Sequence, residues 1–226
     1  MEKLYLLFAF ICITITSNAQ MYEAGFFVGG SNYIGDVGSE KYMNPNKLMG
    51  GIIYKWNANP RMAFRGTFTY AKIAANDADA TNIGRNTRGI SISNSIKELA
   101  VGMEFNFFEY NLEDYRYTQT PYILVEFAAF NYKNVKRELS PQEYEYGHNT
   151  SFAIPFGLGY KTKVVGSLAM AIEVKARYTF VDDIDYNNTK IPSLQFGNPK
   201  SNDWYVLSGI SFLYTFGRPP CYVTPY

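Results

Sequence analysis

The sequence predicts an all-β fold, an eight-stranded antiparallel up-and-down transmembrane β-barrel of the outer-membrane type. Three observations lead to this prediction: an export signal at the N-terminus, a very high aromatic content, and apolar residues that recur at every second position. The 226 residues include 20 Tyr and 17 Phe, yet the mean hydropathy is slightly negative. A barrel wall has this composition because lipid-facing residues alternate with polar interior residues and aromatic girdles form at both membrane interfaces.

Residues 1–19 have the features of a cleavable signal peptide. Lys3 gives a basic start, Leu4–Thr16 is mostly apolar, and Ser17-Asn18-Ala19 places small residues before the expected cleavage site. The apolar run is shorter than the roughly 20 residues that a membrane-spanning helix needs. A lipoprotein would use Cys12 for acylation, but bulky residues precede it where a lipobox has small ones. We therefore assign residues 1–19 to the signal peptide, 20–217 to the barrel and 218–226 to a C-terminal tail.

Four strands are predicted in the first half of the chain. The first begins near Tyr22, where apolar residues alternate with glycine and Glu23. The second and third cover Leu48–Trp56 and Arg61–Ile73, which are long enough to cross a bilayer when tilted. The fourth, Glu98–Phe107, shows the pattern most clearly because its odd positions are all apolar.

The second half of the chain predicts four more strands. They are Tyr122–Tyr132, Ser151–Lys161, Leu168–Phe180 and Tyr205–Phe216. Within the third of these, every even position is apolar or aromatic, whereas the odd positions include Glu173, Lys175 and Arg177. Pro155 is unusual inside a strand and predicts a local bulge.

The connections between these strands alternate between short and long. Asn57–Pro60 and Thr162–Gly166 are tight turns, and Tyr110–Thr118 is of intermediate length. The long connections are Ser31–Asn46, Ala75–Ile92, Lys133–Asn149 and Val181–Asn202. In outer-membrane barrels the short turns face the periplasm and the long loops face outward, so both termini are expected in the periplasm. A soluble β-sandwich is disfavoured because it would not place aromatic stripes opposite charged stripes.

Charged residues fall on the inferred inner face of the barrel. They are Glu23, Lys55, Arg65, Glu98, Glu104, Glu173, Lys175 and Arg177. The interior of an eight-stranded barrel is filled by side chains, and buried charges persist only when they are paired. We therefore predict a salt-bridged plug in preference to an ion pathway. Glu126 has apolar neighbours on both sides, which leaves its face undecided.

Few residues point to catalysis, and none is assigned as catalytic, cofactor-binding or metal-binding. The near-equal 21 basic and 20 acidic residues disfavour nucleic acid as a partner. His148, the only histidine, lies in a polar stretch close to Ser151, but proximity in sequence does not make a catalytic pair. The acidic run Asp182–Asp185 has oxygen ligands for a divalent cation but lacks a glycine-centred loop, so we interpret it as solvated.

The last nine residues are predicted to leave the barrel. Pro219 and Pro220 cannot continue a strand ladder, so the tail extends into the periplasm. Arg218, Pro219, Pro220, Cys221 and Tyr222 are the candidate partner-binding residues. Cys221 is the only cysteine left after signal cleavage, which predicts either an intermolecular disulfide or a free thiol.

Several sequence blocks resemble the PorG family. They are Gly29–Gly38, Tyr54–Asn57 with Pro60-Arg61, Glu104–Phe107, Arg177–Phe180 with Asp182-Asp183, and Asn202–Val206 with Thr215–Tyr222. The resemblance covers essentially the whole mature chain in the same order. It implies an outer-membrane barrel of the type IX secretion system of Bacteroidetes, whose partners are a periplasmic ring lipoprotein and its partner subunit, with a link to gliding motility in some species.

The resulting expectation is a structural component and not an enzyme, embedded in outer-membrane lipid and contacting the periplasmic ring through the tail. Two alternatives stay open. One is a surface adhesin whose long loops carry the function. The other is a lipid-modifying enzyme centred on His148.

Overall fold

The computed structural model describes residues 21–111, 118–140, 143–198 and 201–217. Its eight strands are β1 Met21–Ile34, β2 Lys47–Asn59, β3 Met62–Asn76, β4 Ser91–Asn106, β5 Gln119–Ser140, β6 Glu143–Val165, β7 Leu168–Thr179 and β8 Trp204–Gly217. Each strand pairs antiparallel with its neighbours in sequence, and β1 pairs with β8 to close the ring. The predicted eight-stranded up-and-down barrel is therefore confirmed.

The wall shows the predicted alternation between two faces. In β7, Ala171 and Arg177 are buried inside the ring, whereas Leu168 and Ile172 are about half exposed on its outer surface. Aromatic side chains pair along that outer surface, as in Trp56 with Phe64 and Tyr178 with Trp204. Their ring centroids lie 5.3 and 5.0 Å apart. An outer surface of this kind suits hydrocarbon, while the polar residues are sequestered within the ring.

The two ends of the barrel differ. Met21 pairs with both Asn57 and Gly217, so the described chain begins and finishes beside the tight β2–β3 turn. The β6–β7 turn lies at the same end and contains Gly166, whose φ of 53° favours glycine. We call this the short-turn end. The opposite end, the loop end, carries the connections that follow β1, β3, β5 and β7.

Short helices occur in the connections at the loop end. They are the α-helix α1 Ile83–Arg88 and the 3-10 helices Asp77–Asp79 and Pro192–Leu194. The Asn82 side chain accepts hydrogen bonds from the first turn of α1, and Gly89 terminates the helix with a left-handed φ of 69°. Within the described ranges, no helix has the length and apolar character needed to cross a membrane.

Two local expectations were wrong. The predicted loop Lys133–Asn149 is mostly a hairpin, because β5 continues to Ser140 and β6 begins at Glu143. Both strands of this extension are largely polar, so the alternation that reveals a membrane strand is missing. The expected bulge at Pro155 is also absent: it pairs in register with Arg177 of β7, and the β5–β6 offset is the same on either side of it.

Candidate functional site

Ten charged side chains from seven strands form what we call the interior charge network. Its acids are Glu23, Glu98, Glu104, Glu126 and Glu173, and its bases are Lys55, Arg65, Lys161, Lys175 and Arg177. The structure thus places all eight inner-face charges inferred from the sequence inside the barrel. Glu126 and Lys161 complete the set.

Glu104 on β4 is the most densely paired acid of the network. Its Oε2 lies 2.8 Å from Lys55 Nζ and 3.3 Å from an Arg65 guanidinium nitrogen, and its Oε1 lies 2.5 Å from Lys161 Nζ. The side chain of Glu104 is fully buried. One carboxylate therefore compensates cations contributed by β2, β3 and β6, which links strands that are not neighbours.

Arg65 on β3 spans the lumen to the far wall. Its guanidinium lies 2.6 Å from Glu173 Oε2 and 3.2 Å from Glu126 Oε1. Lys175 contacts the same two acids at 3.1 and 3.4 Å, and the Tyr122 hydroxyl donates to Glu173 at 2.8 Å. This part of the network joins β3, β5 and β7 across the barrel interior.

A separate pair lies nearer the loop end. Arg177 donates to both oxygens of Glu98 at 3.2 and 3.1 Å, and the Tyr205 hydroxyl donates to Glu98 Oε2 at 2.5 Å. Arg177 also donates to the Lys175 carbonyl at 3.0 Å. A bidentate arginine–carboxylate contact is strong and geometrically specific. This contact joins β4 to β7, and the Tyr205 hydroxyl adds β8.

The network contains five acids and five bases, so its formal charge cancels. Nine of the ten side chains form ion pairs within the described chain, whereas Glu23 accepts a hydrogen bond from Asn57 Nδ2 at 3.2 Å. Buried charges that are this closely paired hold the strands in one arrangement and occupy the lumen. The geometry therefore favours a plug over an ion pathway. Lys161 could have been inferred from the sequence, since it shares the odd-numbered face of its strand with Ser151 and Ala153. The face of Glu126 could not be inferred from the sequence, because the residues on both sides of it are apolar.

At the loop end, Arg88 ties three connections together. It donates to both carboxylate oxygens of Asp77 at 2.8 and 3.1 Å, to the Asp36 carbonyl at 2.7 Å and to the Phe196 carbonyl at 3.0 Å. Burial opposes ionisation of Asp77, but Arg88 and two backbone amides, one of them from Gly38, hold its pKa below the usual range. Sequence reasoning missed this cluster because loop contacts leave no periodic pattern.

The acidic run Asp182–Asp185 is not the solvated segment that we expected. Ile184 and Asp185 are fully buried, and the Ile184 amide donates to Asp203 Oδ2 at 3.0 Å. The Tyr33 hydroxyl donates to the other Asp203 oxygen. Burial, together with the negative charge of Asp185, raises the pKa of Asp203 well above its usual range. The run folds inward because Ile184 belongs to the hydrophobic core of the barrel, and Val181 and Tyr186 pack against the same core at the loop end.

His148 and Ser151 do not form a catalytic pair. They are on one strand, three residues apart with no register shift between them, so His148 is exposed while Ser151 points inward. Within the described ranges, no three His, Cys, Asp or Glu side chains are grouped to hold a metal ion.

The signal peptide and the tail residues Arg218, Pro219, Pro220, Cys221 and Tyr222 lie outside the described residues.

Comparison with known proteins identifies the family. The sequence matches the family described as "Domain of unknown function (DUF6089)" over residues 2–225. The chain belongs to the DUF6089 family. No curated protein matches this DUF6089 chain.

Several solved structures share its fold. Neisserial surface protein A is 11% identical with a TM-score of 0.51, covering 87% of this chain and 97% of that one. A major outer membrane protein of Thermus thermophilus is also 11% identical with a TM-score of 0.51, covering 87% of this chain and 99% of that one. The attachment invasion locus protein Ail of Yersinia pestis is 10% identical with a TM-score of 0.47, covering 87% and 99%. At 11% identity, the likeness to the Neisserial and Thermus proteins establishes the barrel fold alone.

Proposed function

We propose that this protein is a structural outer-membrane component of the type IX secretion machinery, which anchors or contacts a periplasmic ring lipoprotein and its partner subunit. The order of the sequence blocks shared with PorG-type proteins carries the proposal. In this role the barrel supplies attachment to outer-membrane lipid, and gliding motility depends on the protein in species that glide by this machinery.

The arrangement of the barrel supports a role of this kind. The interior charge network occupies the lumen, which suits an anchor better than a channel. The described chain finishes at Gly217, at the short-turn end, so the tail that follows begins there. In the proposed orientation this end faces the periplasm, and residues 218–226 emerge on the same side as the ring.

The decisive experiment removes the tail without changing the barrel. A variant lacking residues 218–226 is compared with one in which the same nine residues are replaced by a Gly/Ser sequence of equal length. Both variants are expected to insert normally but to lose co-purification with the ring lipoprotein and to impair secretion. Unchanged secretion and unchanged recovery of the ring in both variants would refute the tail's role.

The Cys221 thiol is tested separately. If it forms a disulfide with another protein, non-reducing gels of the intact protein show a heavier band, which disappears on reduction and in Cys221→Ala. Absence of that band in envelopes prepared with a thiol-blocking reagent would assign Cys221 no covalent role. The barrel and tail proposal does not depend on this outcome.

The alternatives predict different losses. A lipid-modifying enzyme centred on His148 would lose activity in His148→Ala while assembly with the ring persisted. A surface adhesin would lose binding when the loop end is altered and would tolerate loss of the tail. The proposed scaffold function predicts that His148→Ala secretes normally and that tail variants do not.

A further inference from the structure

A polar cavity of about 550 Å³ opens at the loop end. It lies between the β5–β6 hairpin and the segment 181–190 that follows β7. Small-molecule sites in proteins commonly enclose roughly 300–1,000 Å³, so the cavity has room for a small ligand. Most such sites are lined by apolar side chains, whereas this lining consists mainly of amides, carboxylates and ammonium groups.

Four of the eleven lining residues are asparagines, and each is held in place. Asn187 Nδ2 donates to Asp182 at 3.1 Å and Asn188 Nδ2 donates to the Val135 carbonyl at 3.0 Å. Asn149 donates to the Tyr132 hydroxyl, and Asn134 donates to Asp183, both at 3.2 Å. Because these bonds fix the amides from both sides of the cavity, the lining is ordered before any ligand arrives.

Two acceptors in the lining have no partner of their own. Asn134 Oδ1 and Asp182 Oδ1 are buried and receive no hydrogen bond from any described residue. Both oxygens are closed off from the open cavity, so a ligand donor reaches them only when the amide or carboxylate group rotates. A ligand hydroxyl group is a donor of the right kind, and the same hydroxyl can accept from a neighbouring amide.

The formal charge of the lining restricts which chemical classes of ligand fit the cavity. Asp182 and Asp183 are matched by Lys136 and Lys190, so the cavity has no net formal charge. A phosphate or sulfate group would meet two carboxylates, and a peptide would find Val135 and Val181 as the apolar side chains of the lining. A neutral molecule with many closely spaced hydroxyls suits alternating donors and acceptors best.

We propose that this cavity binds a neutral saccharide, with Asn149 and Asp182 contributed by its two opposing walls. The proposal concerns the loop end only and is independent of the tail, so it stands or falls separately from the secretion function. It rests on the shape and hydrogen-bonding capacity of the cavity.

The test is ligand-observed NMR on the mature protein, folded in lauryldimethylamine oxide micelles so that no detergent sugar competes. The probes are the methyl glycosides of glucose, galactose, mannose and N-acetylglucosamine, and separately inorganic phosphate and a mixed pentapeptide library. At least one glycoside is expected to show saturation transfer from the protein. The peptides are expected to show none, and the phosphorus-31 line of phosphate is expected to keep its width.

Matched variants locate the binding. Asn149→Ala and Asp182→Ala are expected to weaken the glycoside by about tenfold or more, as loss of a hydrogen bond to a polar or charged group does. Asn86→Ala and Asp79→Ala make the same changes in the loop between β3 and β4 and should bind as the parent does. Urea titration checks that all four variants remain folded.

Three outcomes would overturn the proposal. They are no transfer to any glycoside by the folded parent at roughly 50 mM probe, where millimolar affinity would be detected, equal binding by the Asn149→Ala and Asn86→Ala variants, and preference for phosphate or peptide over every glycoside.

Discussion

Replacing Glu104 by glutamine tests whether the interior charge network stabilises the barrel. The substitution keeps the side-chain size but removes the negative charge that Lys55, Arg65 and Lys161 share. Arg65 keeps Glu173 as a partner, whereas the ion-pair partner of Lys55 and of Lys161 within the described chain is Glu104 alone. Two buried ammonium groups thus lose the one carboxylate that lies within ion-pair distance of them.

The magnitude follows from the burial of these groups. The side chains of Lys55, Glu104 and Lys161 are at most 1% exposed, so water does not replace the lost charge. Breaking a buried ion pair by removing one partner typically costs about 3–5 kcal/mol, and we expect Glu104→Gln to lower the free energy of unfolding by that amount. Most of the cost arises from the uncompensated cations. Lys161→Met in the same chain should therefore recover part of it.

The assay is urea unfolding of the barrel in lipid vesicles, followed by tryptophan emission. Glu109→Gln is the matched control, because its contact with Arg61 at 3.3 Å is exposed on both sides and should contribute less than about 1 kcal/mol. A Glu104→Gln barrel within about 1 kcal/mol of the parent would show that the network does not stabilise the fold. Additive effects of Glu104→Gln and Lys161→Met would likewise refute the coupling.

Three further predictions concern the loop end and the wall. Arg88→Ala removes contacts to three connections and should speed protease cleavage in the loop after β3 by roughly tenfold or more, whereas Arg85→Ala, which loses one bond of 3.1 Å, should change it less. Because the folded pKa of Asp203 lies above its ordinary 3.8, its contribution to stability is complete below that value and is lost as pH rises through the folded pKa. Hydrogen exchange in residues 180–203, corrected for intrinsic rates, should therefore be faster at pH 9 than at pH 5. Asp203→Asn should reduce this difference without removing it, because burial also raises the pKa of Asp182 and of Asp185 to about 6. Gly102→Val places a Cβ 2.2 Å from a β5 carbonyl oxygen and should abolish refolding into micelles, whereas Gly66→Val, with its nearest such contact at 4.0 Å, should refold.

The membrane part of the wall was predictable because lipid imposes a two-residue period. The strand predicted at Leu168–Phe180 is observed as Leu168–Thr179, and its charged positions point inward. Beyond the apolar part of the wall, both faces of a strand can be polar and the period disappears. The extended β5–β6 hairpin was therefore mistaken for a loop, although its backbone pairing continues as far as Ser140 and Glu143.

The partners inside the barrel could not be inferred from the sequence. Alternation shows which face a charge occupies, but pairing across the lumen depends on the stagger of strands around the whole ring. Arg65 and Glu173 are 108 residues apart, and nothing local connects them. The contacts of Arg88 were missed for a related reason. Two of its acceptors are backbone carbonyls, which every residue type provides, so the sequence does not mark them. Loop contacts of this kind are visible only in three dimensions.

The loop end and the tail cannot be compared fairly by deleting each in turn. Removing residues 180–203 would take away Asp203, which receives the Tyr33 hydroxyl, and Ile184, whose carbonyl accepts from Asn94 at 2.8 Å. Such a deletion damages the barrel whether or not the loops bind anything. Tyr42 and Met43 are 76% and 60% exposed, so replacing both side chains by serine alters the outer surface with little effect on folding. Lost surface binding in that variant, with secretion intact, would separate an adhesive role of the loops from anchorage through the tail.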